Sequence, residues 1–142
     1  YNFPLFDERL RKQENPSDKV LEFAEKVKQC DGIIIVTPEY NGGYPASLKN
    51  VIDLLYDEWH RKPISISTVS ISDFGGSQVI TSLLFSLWKI GALVVPKFLP
   101  IPKVENTFNK EGIPTDKANI DKQAKDFFNE LLWYIKVTKQ TA

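Results

Sequence analysis

The run Thr37-Pro38-Glu39-Tyr40-Asn41-Gly42-Gly43-Tyr44-Pro45 collects residue types suited to holding a flat ligand. Proline stiffens the entry, Tyr40 and Tyr44 offer aromatic faces, and Gly42-Gly43 let backbone amides approach a partner with no Cβ in the way. Asparagine, glycine and proline are also common turn residues, so an ordinary strand-to-helix connection is the bland alternative. Such connections are usually short, and two aromatic residues with two adjacent glycines exceed what one needs. The run therefore reads as a binding loop for a flat, partly apolar, hydrogen-bonding cofactor. Ser72-Asp73-Phe74-Gly75-Gly76-Ser77 is a second run with a glycine pair ahead of a helix. Alone it is a tight turn; beside the first run it flanks one cleft.

Other reactive side chains read more plainly. His60 is the single histidine, and its place at a helix end suits a dipole-compensating cap better than a ligand or base. Cys30 lies near a helix carboxyl end beside Asp31, where a thiolate is disfavoured, so packing is its expected role. Lys49 and Asp53 have the spacing of a pair on one helix face. Glu39 either pairs with a partner subunit or solvates its loop. Trp59, Trp88 and Trp133 fall on apolar helical faces, as core or interface residues do. The sequence contains no metal-ligand spacing, catalytic triad or Walker phosphate loop.

These loops need elements to hold them. Asn15-Pro16-Ser17-Asp18 opens a helix in which Val20, Leu21, Phe23, Ala24 and Val27 recur at helical spacing, and Asp31-Gly32 ends it. The unbroken apolar run Ile33-Ile34-Ile35-Val36 reads as a strand, and the first loop leaves its carboxyl end. A helix is expected from Ala46 to Trp59, closed by His60-Arg61-Lys62-Pro63. Residues 64–71 alternate apolar and small polar side chains as a strand does, and the second loop follows. Next come a helix from Gln78 to Lys89, a strand at Leu93-Val94-Val95 with an irregular extension through Pro100 and Pro102, and a polar loop over 103–116. A last helix starts at Thr115 or Asp116, with Ile120, Ala124, Phe127, Phe128, Leu131, Leu132 and Ile135 inward. Alternating helices and strands imply an α/β fold of parallel strands joined by crossovers, in three α/β/α layers. Both loops then leave the same sheet edge, where open α/β sheets bind ligands.

Composition sets the outer limits. At 142 residues, with 42% hydrophobic and 25% charged side chains, the chain reads as one globular domain spanning 1–142. Eighteen basic and 18 acidic residues cancel, without the electrostatic footprint of a nucleic-acid binder. No apolar run approaches the ~20 residues of a membrane helix. One cysteine leaves no internal disulfide framework and suits a reducing, cytoplasmic setting. The chain starts at Tyr1 and contains no methionine, and so reads as the remainder of a longer polypeptide.

Ile33-Ile34-Ile35-Val36-Thr37-Pro38-Glu39-Tyr40-Asn41, then Pro45, then Leu48-Lys49-Asn50 with Asp53, resembles the NADPH-dependent FMN reductase family. That family includes small flavodoxin-like FMN-dependent NAD(P)H:quinone reductases. The likeness continues through Glu58-Trp59-His60, Lys62-Pro63 and Gly75-Gly76-Ser77, and covers most of residues 18–90. It implies a flavodoxin-like doubly wound sheet with strands ordered 2-1-3-4-5, noncovalent FMN, and a homodimer or homotetramer with the flavin near a subunit interface. Carried over by position, Pro38, Glu39, Tyr40, Asn41, Gly42 and Gly43 line the isoalloxazine, and Ser70, Ile71, Ser72 and Asp73 lie along its other edge. Many relatives have glycines where this chain has Ser72-Asp73. The family's first strand and its Ser/Arg-containing phosphate loop precede anything in these residues, so an N-terminal part is expected to be missing.

The resemblance implies an oxidoreductase that takes hydride from NADPH or NADH and passes electrons to quinones or similar small-molecule acceptors. Backbone N–H groups from Asn41 to Gly43 would face the flavin's pyrimidine edge, Tyr40 and Tyr44 would wall the site, and no side chain is assigned as general acid. A flavodoxin-like module whose flavin state governs association with a partner protein is the alternative. A single-electron carrier ranks behind both, because such carriers are typically acidic and this chain is neutral.

Overall fold

Branched aliphatic runs build the sheet in the computed structural model, which describes residues 1–140. β1 (Ile33–Pro38) and β2 (Pro63–Val69) lie parallel, with Ile33 opposite Ile64 and Pro38 opposite Val69. β3 (Leu93–Val94) pairs in parallel with the start of β2, and β4 (Leu99–Ile101) with its end. Pro96 stands between them and has no N–H for a ladder, so β3 and β4 form two halves of one interrupted third strand. β1 therefore lies at one edge of the sheet and β2 in the middle.

Among the described residues, five α-helices accompany the sheet: α1 (Asp18–Gln29), α2 (Ala46–Leu54), α3 (Ser77–Lys89), the single turn α4 (Val104–Thr107) and α5 (Lys117–Gln140). Parallel partners share a face, so Ile33, Ile35, Ile64 and Ile66 point one way and Ile34, Val36, Ser65 and Ser67 the other. Ile35, Ile64 and Ile66 join Val20 and Ala24 of α1, Ile52 of α2 and Leu83 and Leu87 of α3 in one buried cluster. Phe127 and Leu131 of α5 are buried outside that cluster, and α5 packs on β2 and β4 from the opposite face. The three α/β/α layers expected from the order of elements are present.

Several local expectations change. Ser17 stands at the amino end of α1 in place of Asn15, and Leu21 of that helix is exposed. The helix expected over Ala46–Trp59 stops at Leu54, and a 3₁₀ turn holds Asp57–Trp59. The Trp59 indole N–H donates to the Ile52 carbonyl at 3.0 Å, which a continuous helix would give to the Tyr56 amide. That amide donates to Glu58 Oε2 instead, at 3.1 Å. Trp59 is buried in the core, whereas Trp88, Trp133, Phe128 and Leu132 are exposed. The loop at 103–116 contains α4, and α5 begins behind Asp116, whose carboxylate accepts from the Asn119 amide at 3.1 Å.

Candidate functional site

Because β1 and β2 run parallel in register, the chain leaves both at the same sheet edge, and residues 39–45 and 70–77 emerge side by side. In the first loop, the Tyr40 N–H donates to the Gly43 carbonyl at 2.8 Å and the Gly43 N–H to the Tyr40 carbonyl at 3.0 Å. Between them Asn41 and Gly42 have φ of 52° and 77°. Two successive left-handed residues inside such a pair mark a type I′ turn, and Asn-Gly is its favoured sequence. Gly43's amide is therefore consumed within the loop. The Asn41 and Gly42 amides point off the turn with no partner among the described residues.

The second loop is tied down on its far side. Ser70 N–H donates to the Ile101 carbonyl at 3.0 Å, while Lys103 and Val104 amides donate to the Ser72 and Ser70 carbonyls, each at 3.1 Å. The Ser70 and Ser72 hydroxyls bond each other at 3.0 Å. Asp73 forms an ion pair with Lys103 at 2.5 Å, and that hydrogen bond, followed by charge attraction, holds the lysine above its ordinary pKa. Behind the loop, buried Thr68 donates its hydroxyl to the Gly75 carbonyl at 2.6 Å. Gly75 and Gly76 both have positive φ, and a Cβ on Gly76 would stand 3.1 Å from that of Thr68. The glycine pair is what this approach requires.

Side chains join the two loops. Glu39 Oε2 lies 3.5 Å from where a Cβ on Gly76 would stand, and Gln78 Oε1 lies 2.8 Å from the same point on Gly42. The Tyr44 hydroxyl meets Ser86 Oγ at 3.0 Å, pinning the end of the first loop to α3. Tyr40, Ile71 and Phe74 expose 64%, 76% and 78% of their surface around this platform. The sequence reading missed Thr68, Gln78 and Ser86, whose contacts all cross between elements. Gln78 alone had a signal, as a polar residue in the first turn after a glycine pair.

Other features lie elsewhere. A cavity of about 380 Å³ is lined by Asp73 and Phe74 together with Pro100, Pro102, Asn106 and Asp116, on the side of the second loop away from residues 37–45. His60 packs against Gly91, and the Cys30 thiol faces the Val27 carbonyl at 3.2 Å. Among the described residues no group of three or more His, Cys, Asp or Glu side chains converges as a metal site would. No helix among them is long and apolar enough to cross a membrane.

Known proteins place this architecture. The quinone reductase of Escherichia coli is 36% identical over 100 residues, covering 68% of this chain and 53% of that protein. The NAD(P)H-dependent FMN reductase C4B3.06c of Schizosaccharomyces pombe is 48% identical over 61 residues, covering 43% of this chain and 30% of its own length. The chain thus spans about a third to a half of the length of these curated relatives. Among solved structures, the flavoenzyme NAD(P)H:(acceptor) oxidoreductase FerB from Paracoccus denitrificans superposes with a TM-score of 0.75 at 22% identity, over 95% of this chain and 76% of that one. That likeness carries the flavodoxin-like fold. The family model described as NADPH-dependent FMN reductase matches residues 1–106, including both loops and the Asn-Gly turn, and the chain belongs to that family.

Proposed function

We propose that this chain forms the flavin-binding part of an FMN-dependent oxidoreductase that draws on NADPH or NADH and delivers electrons to quinones or similar small acceptors. The observation that carries this reading is the Asn41-Gly42 turn, with two amides unpaired among the described residues, at the strand carboxyl ends of a parallel sheet, where such folds bind ligands. The residues present fit the isoalloxazine ring of that group. Asn41 and Gly42 offer donors to the pyrimidine edge of an isoalloxazine, no side chain at Gly42 obstructs it, and Tyr40, Ile71 and Phe74 supply flat apolar surface. Pro38, Glu39 and Gly43 shape the first wall, and Ser70, Ile71, Ser72 and Asp73 the second. Bound FMN supplies the hydride and electron chemistry.

The chain's own part is orientation and electrostatics. N–H donors fixed by a closed turn need no reorganisation when negative charge develops on the ring edge, and they stabilise that charge more than mobile water does. Thr68 and the ties from Ser70 to Ile101 keep the second wall in place. The exposed rim leaves room for acceptor and nicotinamide to occupy the site in turn, and for a second subunit to cover it, in keeping with a homodimer or homotetramer. The single cysteine suits a cytoplasmic protein.

Titration of the purified protein with FMN, followed by flavin fluorescence and absorbance, tests the reading directly. Saturable binding is expected, with NADPH or NADH oxidation that depends on both FMN and added 1,4-benzoquinone. Protein that leaves the flavin spectrum and fluorescence unchanged at every concentration would sink it.

A further inference from the structure

Gln78 stands at the first turn of α3 with its side chain exposed and no hydrogen bond among the described residues. Its carboxamide oxygen nonetheless lies over Gly42, 2.8 Å from the point a Cβ there would occupy. The contact is available because Gly42 has a φ of 77° and carries no side chain. The carboxamide oxygen thus stands beside Gly42 from a second element, and the α3 backbone under it is anchored by the Val79 N–H bond to the Gly76 carbonyl.

The pyrimidine edge of a flavin presents two carbonyl oxygens with an N3–H between them, and so asks for two donors and one acceptor. The turn supplies the donors. The Tyr40 and Gly43 carbonyls already accept the hairpin's own bonds, whereas Gln78 Oε1 is an acceptor beside the turn with no bond of its own among the described residues. Gln78 Oε1 reaches the turn from the facing helix. We propose that Gln78 is a cofactor-binding residue whose carboxamide oxygen accepts the flavin N3–H, completing the set begun by Asn41 and Gly42. The assignment rests on the FMN reading above and adds a residue that reads the ring.

The test compares lumiflavin with 3-methyllumiflavin, which lacks the N3–H; neither carries a phosphate, so the readout isolates the ring. Fluorescence titration of the unaltered chain should show a preference for lumiflavin of about tenfold, the size of one hydrogen bond. In Gln78→Leu, which keeps the bulk and drops the acceptor, the preference should fall to about twofold or less. Gln78→Glu, which keeps an acceptor oxygen, should retain it. A residue that only supports the fold would alter affinity for both flavins alike, and circular dichroism of each variant reports folding separately. Equal affinity of the unaltered chain for the two flavins overturns the proposal, as does a preference that survives in Gln78→Leu, while the FMN reading stands. Failure of the unaltered chain to bind either flavin overturns both.

Discussion

Thr68 shows how a single hydroxyl sets the site from behind. It is fully buried, and its one donated bond goes to the carbonyl of Gly75, a residue already committed to a left-handed conformation. Thr68→Val keeps the shape and removes the donor, leaving a buried carbonyl without a partner. The expected cost is about 1–3 kcal/mol, read by urea unfolding, with weaker flavin binding as the second loop shifts. Thr68→Ser restores the donor and should recover most of the loss. An unchanged midpoint in Thr68→Val would show that the bond does nothing for the fold. At this scale the sequence was legible where residue type implies conformation: Asn41-Gly42 names its own turn. It was silent on Thr68 and marked Gln78 only as a polar residue behind a glycine pair, because their partners are set by which elements become neighbours.

Elements were legible wherever one periodicity ran uninterrupted. Ile33 to Val36 is a strand because an uncharged run of branched aliphatic residues suits a ladder, β2 shows itself by alternating apolar and small polar residues, and Leu83 and Leu87 place the inner face of α3. Reading Ala46–Trp59 as one helix failed because helical spacing of Ile52, Leu55 and Trp59 conceals a competition for hydrogen bonds. The Trp59 indole takes the Ile52 carbonyl and Glu58 takes the Tyr56 amide, so the helix cannot continue between them. Trp59→Phe keeps the ring in the core and deletes that donor. A loss of about 1–3 kcal/mol is expected, with the slope of the urea transition unchanged. A variant as stable as the parent would remove the indole bond as the cause of the break. Pro96 acts in the same way on the third strand, where two short pieces share one partner.

For the whole molecule, layer order decided which apolar residues ended inside, and single-helix patterns could not. Phe128 and Leu132 were read as inward from their spacing, yet they stand exposed on α5, as do Ile34 and Val36 on that face of β1. β1 pairs with β2 alone, and its other rim is open among the described residues. In a polypeptide made of these 142 residues by themselves, four consecutive branched residues on such a rim and charges that sum to zero favour association between copies. Val36, 65% exposed, is the place to interrupt it. Val36→Lys should suppress concentration-dependent light scattering and change unfolding stability by no more than about 0.5 kcal/mol. Scattering that rises as in the parent would rule out this rim as the contact.

The register of the sheet also sets a timetable. Ile33 finds its neighbour in β2 at Ile64, well downstream in the chain. At a synthesis rate of roughly 5–20 residues per second, the earlier strand emerges from the ribosome and waits on the order of seconds before its mate exists. During that interval the β2-facing side of Ile33 to Val36 has no ladder to join, so the nascent chain exposes backbone donors and acceptors that the finished sheet satisfies.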